Sequence, residues 1–163
     1  MKRISKPQLL GAFSSDVRIL IEAEITKEPK PATVINLCSG SWNYGITVDK
    51  VLRDNTRPAI QADVQRLPFR NEVADIIIFD PPFGRKFKKA YGAYYANRRQ
   101  VFQEVLRILK PGGLLIFSHY FIPELRPLQL ERVYLIHNKP WEHVRVLSFS
   151  RKKPYLFNQD TIE

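Results

Sequence analysis

One segment organises this sequence, Asp75-Ile76-Ile77-Ile78-Phe79-Asp80-Pro81-Pro82-Phe83. Its apolar run from Ile76 is typical of a short, buried β-strand. Two consecutive prolines cannot continue the hydrogen bonds of a sheet, so the chain must leave the sheet after Phe79 in a stiff, extended shape. The segment therefore predicts a rigid carboxylate, Asp80, at the end of a buried strand, with an aromatic ring beside it.

Other short apolar runs lie on both sides of this segment, and helical spacing appears at two places. Leu106 and Leu109, for example, follow Phe102 at helical intervals, and Gly112 and Gly113 close that pattern. We predict helices at 14–26 and 94–109 and strands at 33–37, 46–51, 59–62, 75–79, 114–118, 132–137 and 144–150. Strands that alternate with helices predict an α/β fold with a mostly parallel sheet covered on both faces, ending in an antiparallel strand pair.

Three of the predicted strands end near an aspartate, and a fourth ends near a glycine. In an open parallel sheet, ligands bind beyond the carboxyl ends of the strands, where these residues should meet. A nucleoside-containing cofactor needs a close backbone turn, an acceptor for its ribose hydroxyls and an acceptor for its adenine amine. Gly40, Asp49 and Asp63 can supply these in that order.

Asp80 has a different chemical role in this prediction. The exocyclic amine of a nucleic-acid base is a poor nucleophile because its lone pair is delocalised into the ring. Acceptors at Asp80 and at the carbonyl of Pro81 would bind the two N–H groups and aim the lone pair at a methyl sulfonium. Phe83 would hold the base by stacking.

On these residues the chain resembles the class I S-adenosylmethionine-dependent amino-methyltransferases, which carry the motif Asp/Asn-Pro-Pro-aromatic. The resemblance spans roughly 33–151 and includes Leu67-Pro68-Phe69 and the Leu109-Lys110-Pro111-Gly112-Gly113 turn. It implies a Rossmann-like methyltransferase fold and S-adenosylmethionine as the cofactor.

The resemblance also implies roles for individual residues. Asp49 is similar to the ribose-binding acid, and Asp63 with Val64 to the adenine-binding pair. The implied catalytic residues are Asp80, Pro81, Pro82 and Phe83, and the implied cofactor-binding residues are Asn36, Cys38, Gly40, Asp49, Asp63 and Val64.

The chain departs from the family pattern after its first strand. Its loop, Asn36-Leu37-Cys38-Ser39-Gly40, keeps one glycine and lacks the usual acid. Only residues 38–45 separate the first two strands, whereas a parallel crossover normally needs a dozen or more. The fold is thus predicted to be abbreviated here. Alternatively, Thr47 to Asp54 is the missing helix, and Asp49 then loses its ribose role; we prefer the strand because Gly45 to Asp49 has the form of a strand followed by an acid.

The charge of the chain points to a polyanionic partner. The sequence holds 26 Lys and Arg against 16 Asp and Glu, a net charge of +10, which creates a positive field that attracts nucleic acid. Basic residues and tyrosines alternate after Phe83, as in loops that hold phosphates and stack bases. We predict that this loop binds substrate through Arg85, Lys86, Lys88, Lys89 and Tyr91; the alternative is a solvated loop.

Length and composition fit one domain of 163 residues. We divide it into an N-terminal helix and linker (1–32), a catalytic core (33–153) and a loosely held tail (154–163). No apolar run could span a bilayer, and no apolar segment follows Met1-Lys2-Arg3, so a cytoplasmic location is expected. Cys38 cannot form an internal disulfide and is predicted to be a small buried residue, and no metal site is expected.

The predicted reaction is methyl transfer to a base amine, with adenine N6 in DNA or RNA favoured. Guanine N2 in a structured RNA is the nearest rival, because the motif followed by Gly84-Arg85 also resembles the methyltransferases that act on guanine N2. A nucleic-acid-binding protein of the same fold that has lost turnover is a further alternative. Target specificity would come from loops or a partner subunit.

The sequence leaves the roles of two groups of residues open. Trp42 and Tyr44 either cover the cofactor or pack in the core. The basic residues around the last strand either widen the basic surface or are solvated ends, namely Arg145, Arg151, Lys152 and Lys153.

Overall fold

The computed structural model describes residues 13–30, 32–52, 57–82, 97–123, 125–137 and 144–154. The helices within these ranges are α1 (Ser15–Ile25) and α2 (Arg98–Ile108). The strands are β1 (Val34–Leu37), β2 (Ile46–Asp49), β3 (Ile60–Gln61), β4 (Ala74–Phe79), β5 (Leu109–His119), β6 (Leu128–Ile136) and β7 (Arg145–Lys152).

The strands form one sheet in the order β3-β2-β1-β4-β5-β7-β6. The pairs β3–β2, β2–β1, β1–β4 and β4–β5 are parallel. Strand β7 runs antiparallel to both of its neighbours, β5 and β6. The predicted mostly parallel sheet with an antiparallel C-terminal pair is therefore confirmed.

The two described helices pack on opposite faces of the sheet, and successive side chains of a strand point to these two faces in turn. On β4, Ile77 and Phe79 belong to the core cluster that includes α2. Ile76 and Ile78 belong to the cluster that includes Ile21 of α1. All four of these strand residues are at most 1% exposed, so β4 is the buried centre of the sheet, as its sequence predicts.

The connection between β1 and β2 is abbreviated as predicted. Residues 38–45 contain turns and no helix, and Ile46–Asp49 is a strand, so the alternative helix from Thr47 is wrong. The short connection suffices because β1 has only four residues, about 13 Å of strand to retrace. Gly45 makes it fit: its φ is +66°, and a Cβ there would lie 2.6 Å from the Val34 carbonyl oxygen.

Strand β5 begins earlier than predicted. The segment from Lys110 to Gly113 was expected to stop the preceding helix, but β5 starts at Leu109, directly after α2. The extra residues are absorbed by an irregularity, because the register with β4 shifts between Ala74 and Ile76. Lys152 caps the end of the helix, because its Nζ donates to Leu106 O and Leu109 O.

Neither described helix has the length and apolar content needed to cross a bilayer. The predicted start of the second helix at 94–96 and the tail beyond Pro154 lie outside the described residues.

Candidate active site at the carboxyl edge of the sheet

The carboxyl ends of the parallel strands β1 to β5 form one edge, which we call the carboxyl edge. In the register of the sheet Leu37 pairs with both Val48 and Phe79, and Phe79 pairs with Phe117. The residues that follow these positions are Cys38, Asp49, Asp80 and Ser118. Four neighbouring strands thus bring a polar group to the same edge, as predicted for the two aspartates.

Asp49 fastens the loop that follows β1. Its Oδ2 accepts a hydrogen bond from the Gly40 N–H at 3.1 Å, and its Oδ1 accepts from the Val51 N–H at 3.0 Å. Cys38 and Gly40 have φ values of 55° and 52°, so the loop turns sharply towards this carboxylate. A carboxylate has about four acceptor positions, and Asp49 therefore keeps capacity for the hydroxyl donors of a ribose.

Ser39 is a site residue that the sequence analysis missed. Its side chain is buried, and within the described part of the chain its Oγ has no hydrogen-bond partner. A buried hydroxyl without a partner is costly, so this position favours a polar ligand group in the β1 loop. Its place between Cys38 and Gly40, within the expected glycine loop, was the available signal. The loop therefore fits a polar cofactor such as S-adenosylmethionine.

Asn36 has a supporting position. It is 1% exposed, and its side-chain amide donates to the Trp42 carbonyl oxygen at 3.1 Å. Trp42 stacks on Tyr44 and meets Phe13 edge to face. Trp42 is a member of the α1 core cluster, and Tyr44 packs against that cluster, which favours core packing over a cofactor cover for both residues. The side chain of Asn36 thus braces the turn, and its predicted contact with the cofactor stays a prediction.

Asp63 is held beside Asp49 by its own turn. Its Oδ2 pairs with Lys50 Nζ at 2.6 Å and its Oδ1 accepts from the Gln65 N–H at 2.9 Å. Burial works to raise the pKa of Asp63, but the Lys50 ammonium and the Gln65 N–H outweigh it and hold the pKa below its usual range. Val64, the other half of the predicted adenine pair, is buried at 7% exposure.

Asp80 forms an ion pair that the sequence analysis did not predict. Arg145 Nη2 lies 2.6 Å from Asp80 Oδ1 and also donates to Ser118 Oγ at 2.7 Å. The side chain of Asp80 is 11% exposed and that of Arg145 is 18% exposed. Neither expectation for Arg145, a wider basic surface or a solvated strand end, is correct. Lys152 also contradicts both of these expectations, because it is only 4% exposed.

The charge of Asp80 is set by two opposing effects. Burial raises the pKa of this carboxyl to about 6, while the Arg145 guanidinium and a hydrogen bond with Ser118 act to lower it. Arg145 occupies Oδ1, and a carboxylate has about four acceptor positions, so the ion pair does not exhaust the acceptor capacity of Asp80. The group can therefore serve as a structural partner, as a ligand of an amine, or as both.

Aromatic side chains line the neighbouring end of β5. His119 stacks on Phe117 and lies 4.2 Å from Phe121, ring centroid to ring centroid. Burial, and then the charges of Arg98 and Arg145, lower the pKa of His119 to about 4, so the ring is neutral near pH 7. Its Nδ1 accepts from the Tyr120 N–H, which assigns the proton to Nε2.

The pKa of the Cys38 thiol is affected by the charges of all three aspartates. Burial raises its pKa well above the usual value, and the charges of Asp49, Asp80 and Asp63 raise it further, in that order. One thiol therefore lies within electrostatic reach of all three carboxylates. The same environment keeps Cys38 protonated. The residue is partly buried, whereas the sequence predicts that it is buried.

The remaining predicted site residues are only partly described. Pro81 is buried and Pro82 is half-buried. The aromatic ring of the motif and the basic loop lie outside the described residues, namely Phe83, Arg85, Lys86, Lys88, Lys89 and Tyr91. Among the described residues no cluster of three or more metal-ligating side chains is found.

Comparison with known proteins shows a similarity to methyltransferases. Residues 44–117, which are 74 of the 163 residues, match the family model described as a methyltransferase domain. The match includes β2 to β4, α2 and most of β5, and therefore Asp49, Asp63 and Asp80.

Solved structures with the same fold include a putative methyltransferase and a methyltransferase. The putative methyltransferase yhhF from Escherichia coli superposes with a TM-score of 0.61 at 12% identity, covering 90% of this chain and 91% of that chain. A Burkholderia thailandensis 1,6-didemethyltoxoflavin-N1-methyltransferase, solved with bound S-adenosylhomocysteine, superposes with a TM-score of 0.59 at 11% identity, covering 85% and 77%. The predicted Rossmann-like methyltransferase fold is confirmed, and S-adenosylmethionine is the cofactor of this class of domain, as the sequence predicts.

One curated relative matches a shorter segment. The Bos taurus U6 snRNA (guanine-N(2))-methyltransferase THUMPD2 is 38% identical over 65 residues. The match covers 40% of this chain and 12% of that protein, so the chain corresponds to a small part of its relative.

Proposed function

We propose that this chain transfers the methyl group of S-adenosylmethionine to the exocyclic amine of a nucleic-acid base. The observation that carries the proposal is the position of Asp80. Its carboxylate follows β4 directly, before two prolines, at the same edge of the sheet where Cys38 follows β1 and Asp49 ends β2. An acceptor suited to an amine therefore adjoins the loop suited to the cofactor.

Five residues of the carboxyl edge are proposed to hold the cofactor. Gly40 gives the tight turn, the Ser39 hydroxyl gains a polar partner, and Asp49 accepts from the ribose hydroxyls. Asp63 and Val64 remain the proposed adenine-binding pair, with the Asp63 carboxylate shared between Lys50 and the ligand. When bound, S-adenosylmethionine supplies an electrophilic methyl carbon.

The base amine is proposed to lie against Asp80 and Pro81. Their carboxylate and carbonyl oxygens accept the two N–H groups, which withdraws the nitrogen lone pair from the ring and fixes its direction. Phe83 stacks on the base, and the basic loop binds the neighbouring phosphates through Arg85, Lys86, Lys88, Lys89 and Tyr91.

One comparison favours guanine N2 over adenine N6, which reverses the order expected from the sequence. The short curated relative is named as a guanine-N(2)-methyltransferase of U6 snRNA. Adenine N6 stays the second candidate, because Asp80 would accept equally from its amine.

The direct test is to incubate the purified protein with labelled S-adenosylmethionine and, separately, with small nuclear RNA, transfer RNA and DNA, and to identify the methylated nucleosides by mass spectrometry. We expect N2-methylguanosine from RNA, and none with the Asp80→Ala variant. Methyladenine as the sole product would reassign the base. Cofactor binding by calorimetry without any labelled nucleoside would favour the binding protein that has lost turnover.

A further inference from the structure

Arg145 links four parts of the carboxyl edge. It is the first residue of β7, and its Nη2 donates both to Asp80 at the end of β4 and to Ser118 on β5. Its guanidinium carbon lies 5.8 Å from the centre of the Phe13 ring, just before α1. These contacts hold the guanidinium in one place beside the Asp80 carboxylate.

The role proposed for Asp80 depends on its charge. An ionised carboxylate only accepts hydrogen bonds, whereas a protonated one carries an O–H donor. That donor would oppose the N–H groups of a base amine and remove one acceptor. Because Asp80 is buried, its neutral form is favoured by desolvation, so something on the protein must stabilise the ionised form.

Among the described residues, few groups around Asp80 can stabilise its ionised form. Cys38 at the end of β1 is a protonated thiol, and Asp49 and Asp63 beyond it are negative. His119 on β5 is neutral near pH 7, held so partly by the charges of Arg98 on α2 and of Arg145. Among the described residues, Arg145 is the cation in direct contact with Asp80.

We propose that Arg145 is a positioning residue that keeps Asp80 ionised and fixes its carboxylate as an acceptor for the base amine. This inference rests on the proposed function and extends it to a residue 65 positions away in the chain. Arg145 does not touch the reacting atoms; it acts through the charge and direction of Asp80.

The test uses the pH dependence of kcat/KM in the full chain. Replacing Arg145 with Met should move the acid limb of the profile upwards by about one to three pH units, with most of the activity recovered at high pH. Arg145→Lys retains a positive charge and should keep the limb close to that of the wild type. A merely structural role would lower the activity of Arg145→Met by the same factor at every pH, and that result would overturn the inference.

Arg132→Met is the matched control. Arg132 pairs with the buried Glu24 of α1, away from the carboxyl edge. Its loss should leave the acid limb in place, and a limb that moves equally in both variants would also overturn the inference.

A second measurement separates this inference from the proposed function. Carbon-13 NMR of labelled aspartate carboxyls, with Asp80 assigned from Asp80→Asn, reports the titration of Asp80 without any substrate. We expect the Asp80 titration to move to higher pH in Arg145→Met. If it does and no base is methylated, the proposed function fails while the role of Arg145 stands; if it does not move, the role of Arg145 fails whatever the activity.

Discussion

At the scale of single residues, the carboxylates of the carboxyl edge differ in what holds them. Asp49 accepts from two backbone N–H groups, Asp63 pairs with a lysine, and Asp80 pairs with an arginine. Backbone N–H groups are neutral, so they bind a carboxylate without balancing its negative charge. Asp49 is therefore the aspartate best suited to bind the hydroxyls of a ligand.

We predict that Asp49→Ala weakens the binding of S-adenosylmethionine by about tenfold to a hundredfold, the loss expected for hydrogen bonds to a charged group. Titration calorimetry measures this directly. Asp75→Ala is the matched control, because Asp75 lies on β4 at the opposite edge, paired with Lys110. Equal affinities for Asp49→Ala and the wild type would remove Asp49 from the cofactor site.

His119 gives a prediction about stability and pH. Burial lowers its pKa to about 4 in the folded chain. In the unfolded chain the same side chain has the ordinary histidine pKa of about 6.5. Between these values the unfolded chain binds a proton that the folded chain does not, so acidification through this range destabilises the fold.

We therefore predict that the free energy of unfolding of the wild type, relative to His119→Gln, falls as the pH is lowered from about 7 to 4. Asp80 has a raised pKa and acts in the opposite direction between about 4 and 6, but it is present in both proteins and drops out of the difference. Urea unfolding at several pH values measures this difference. A difference that stays constant with pH would show that His119 is not held neutral.

The sequence predicted where the aspartates lie but not which groups hold them. Asp49, Asp63 and Asp80 each follow an apolar run, and parallel strands bring such positions to one edge. The partner of Asp80 comes from β7, 65 residues further along the chain. Nothing in the local pattern around Arg145 distinguishes a buried ion pair from a solvated strand end, so that contact needed the structure.

At the scale of elements, the short link between β1 and β2 sets the shape of the loop that faces the site. Its length was predictable, because only eight residues separate two apolar runs. Its path depends on Gly45, which has positive φ and lies against the backbone of β1. The limits of α2 and β5 were less predictable, since an irregularity in pairing absorbs Lys110 to Gly113 within a strand.

Two glycines allow a matched test of this link. Gly45 and Gly112 both have positive φ, at +66° and +77°, but a Cβ would clash with the Val34 carbonyl only at Gly45 and would meet nothing within 4 Å at Gly112. We predict that Gly112→Ala loses about 1–2 kcal/mol of unfolding free energy from backbone strain alone. Gly45→Ala should lose about 1–3 kcal/mol more from the clash. Equal losses in urea unfolding would contradict the close approach at Gly45.

At the scale of the whole molecule, the proposed function uses both the order of the strands in the sheet and the net charge of +10. The parallel strands present the site at one edge, and the predicted basic loop follows β4 at that same edge. Binding of nucleic acid should then depend on cations at the carboxyl edge more than on the total charge.

We predict that replacing Lys86, Lys88 and Lys89 with Gln makes the fall of log affinity with log salt less steep by about two. The reason is that each phosphate contact contributes roughly 0.7 to 0.9 to the size of this slope. The matched control removes the same charge from the opposite edge, through Lys27, Lys30 and Lys153, which are exposed. Fluorescence anisotropy with a labelled RNA measures both slopes. Equal changes in the two triple variants would mean that binding depends only on total charge.

The ion pair of Asp80 leaves one question at the centre of the proposed mechanism: whether this carboxylate binds an amine or only balances Arg145. The single variant Asp80→Ala removes the carboxylate that pairs with the partly buried Arg145 guanidinium, and it should therefore destabilise the fold as well as the site. Its loss of activity alone would not separate the two roles. The double variant Asp80→Ala/Arg145→Met removes both charges and should recover most of that stability.

The most direct measurement is therefore the methylation rate of this double variant at saturating S-adenosylmethionine, with unfolding free energy and cofactor affinity measured alongside. We predict a stable protein with nearly unchanged cofactor affinity and a rate at least about a hundredfold below that of the wild type, because the amine has lost its acceptor. A stable double variant that methylates at close to the wild-type rate would contradict the assignment of Asp80 to the reaction.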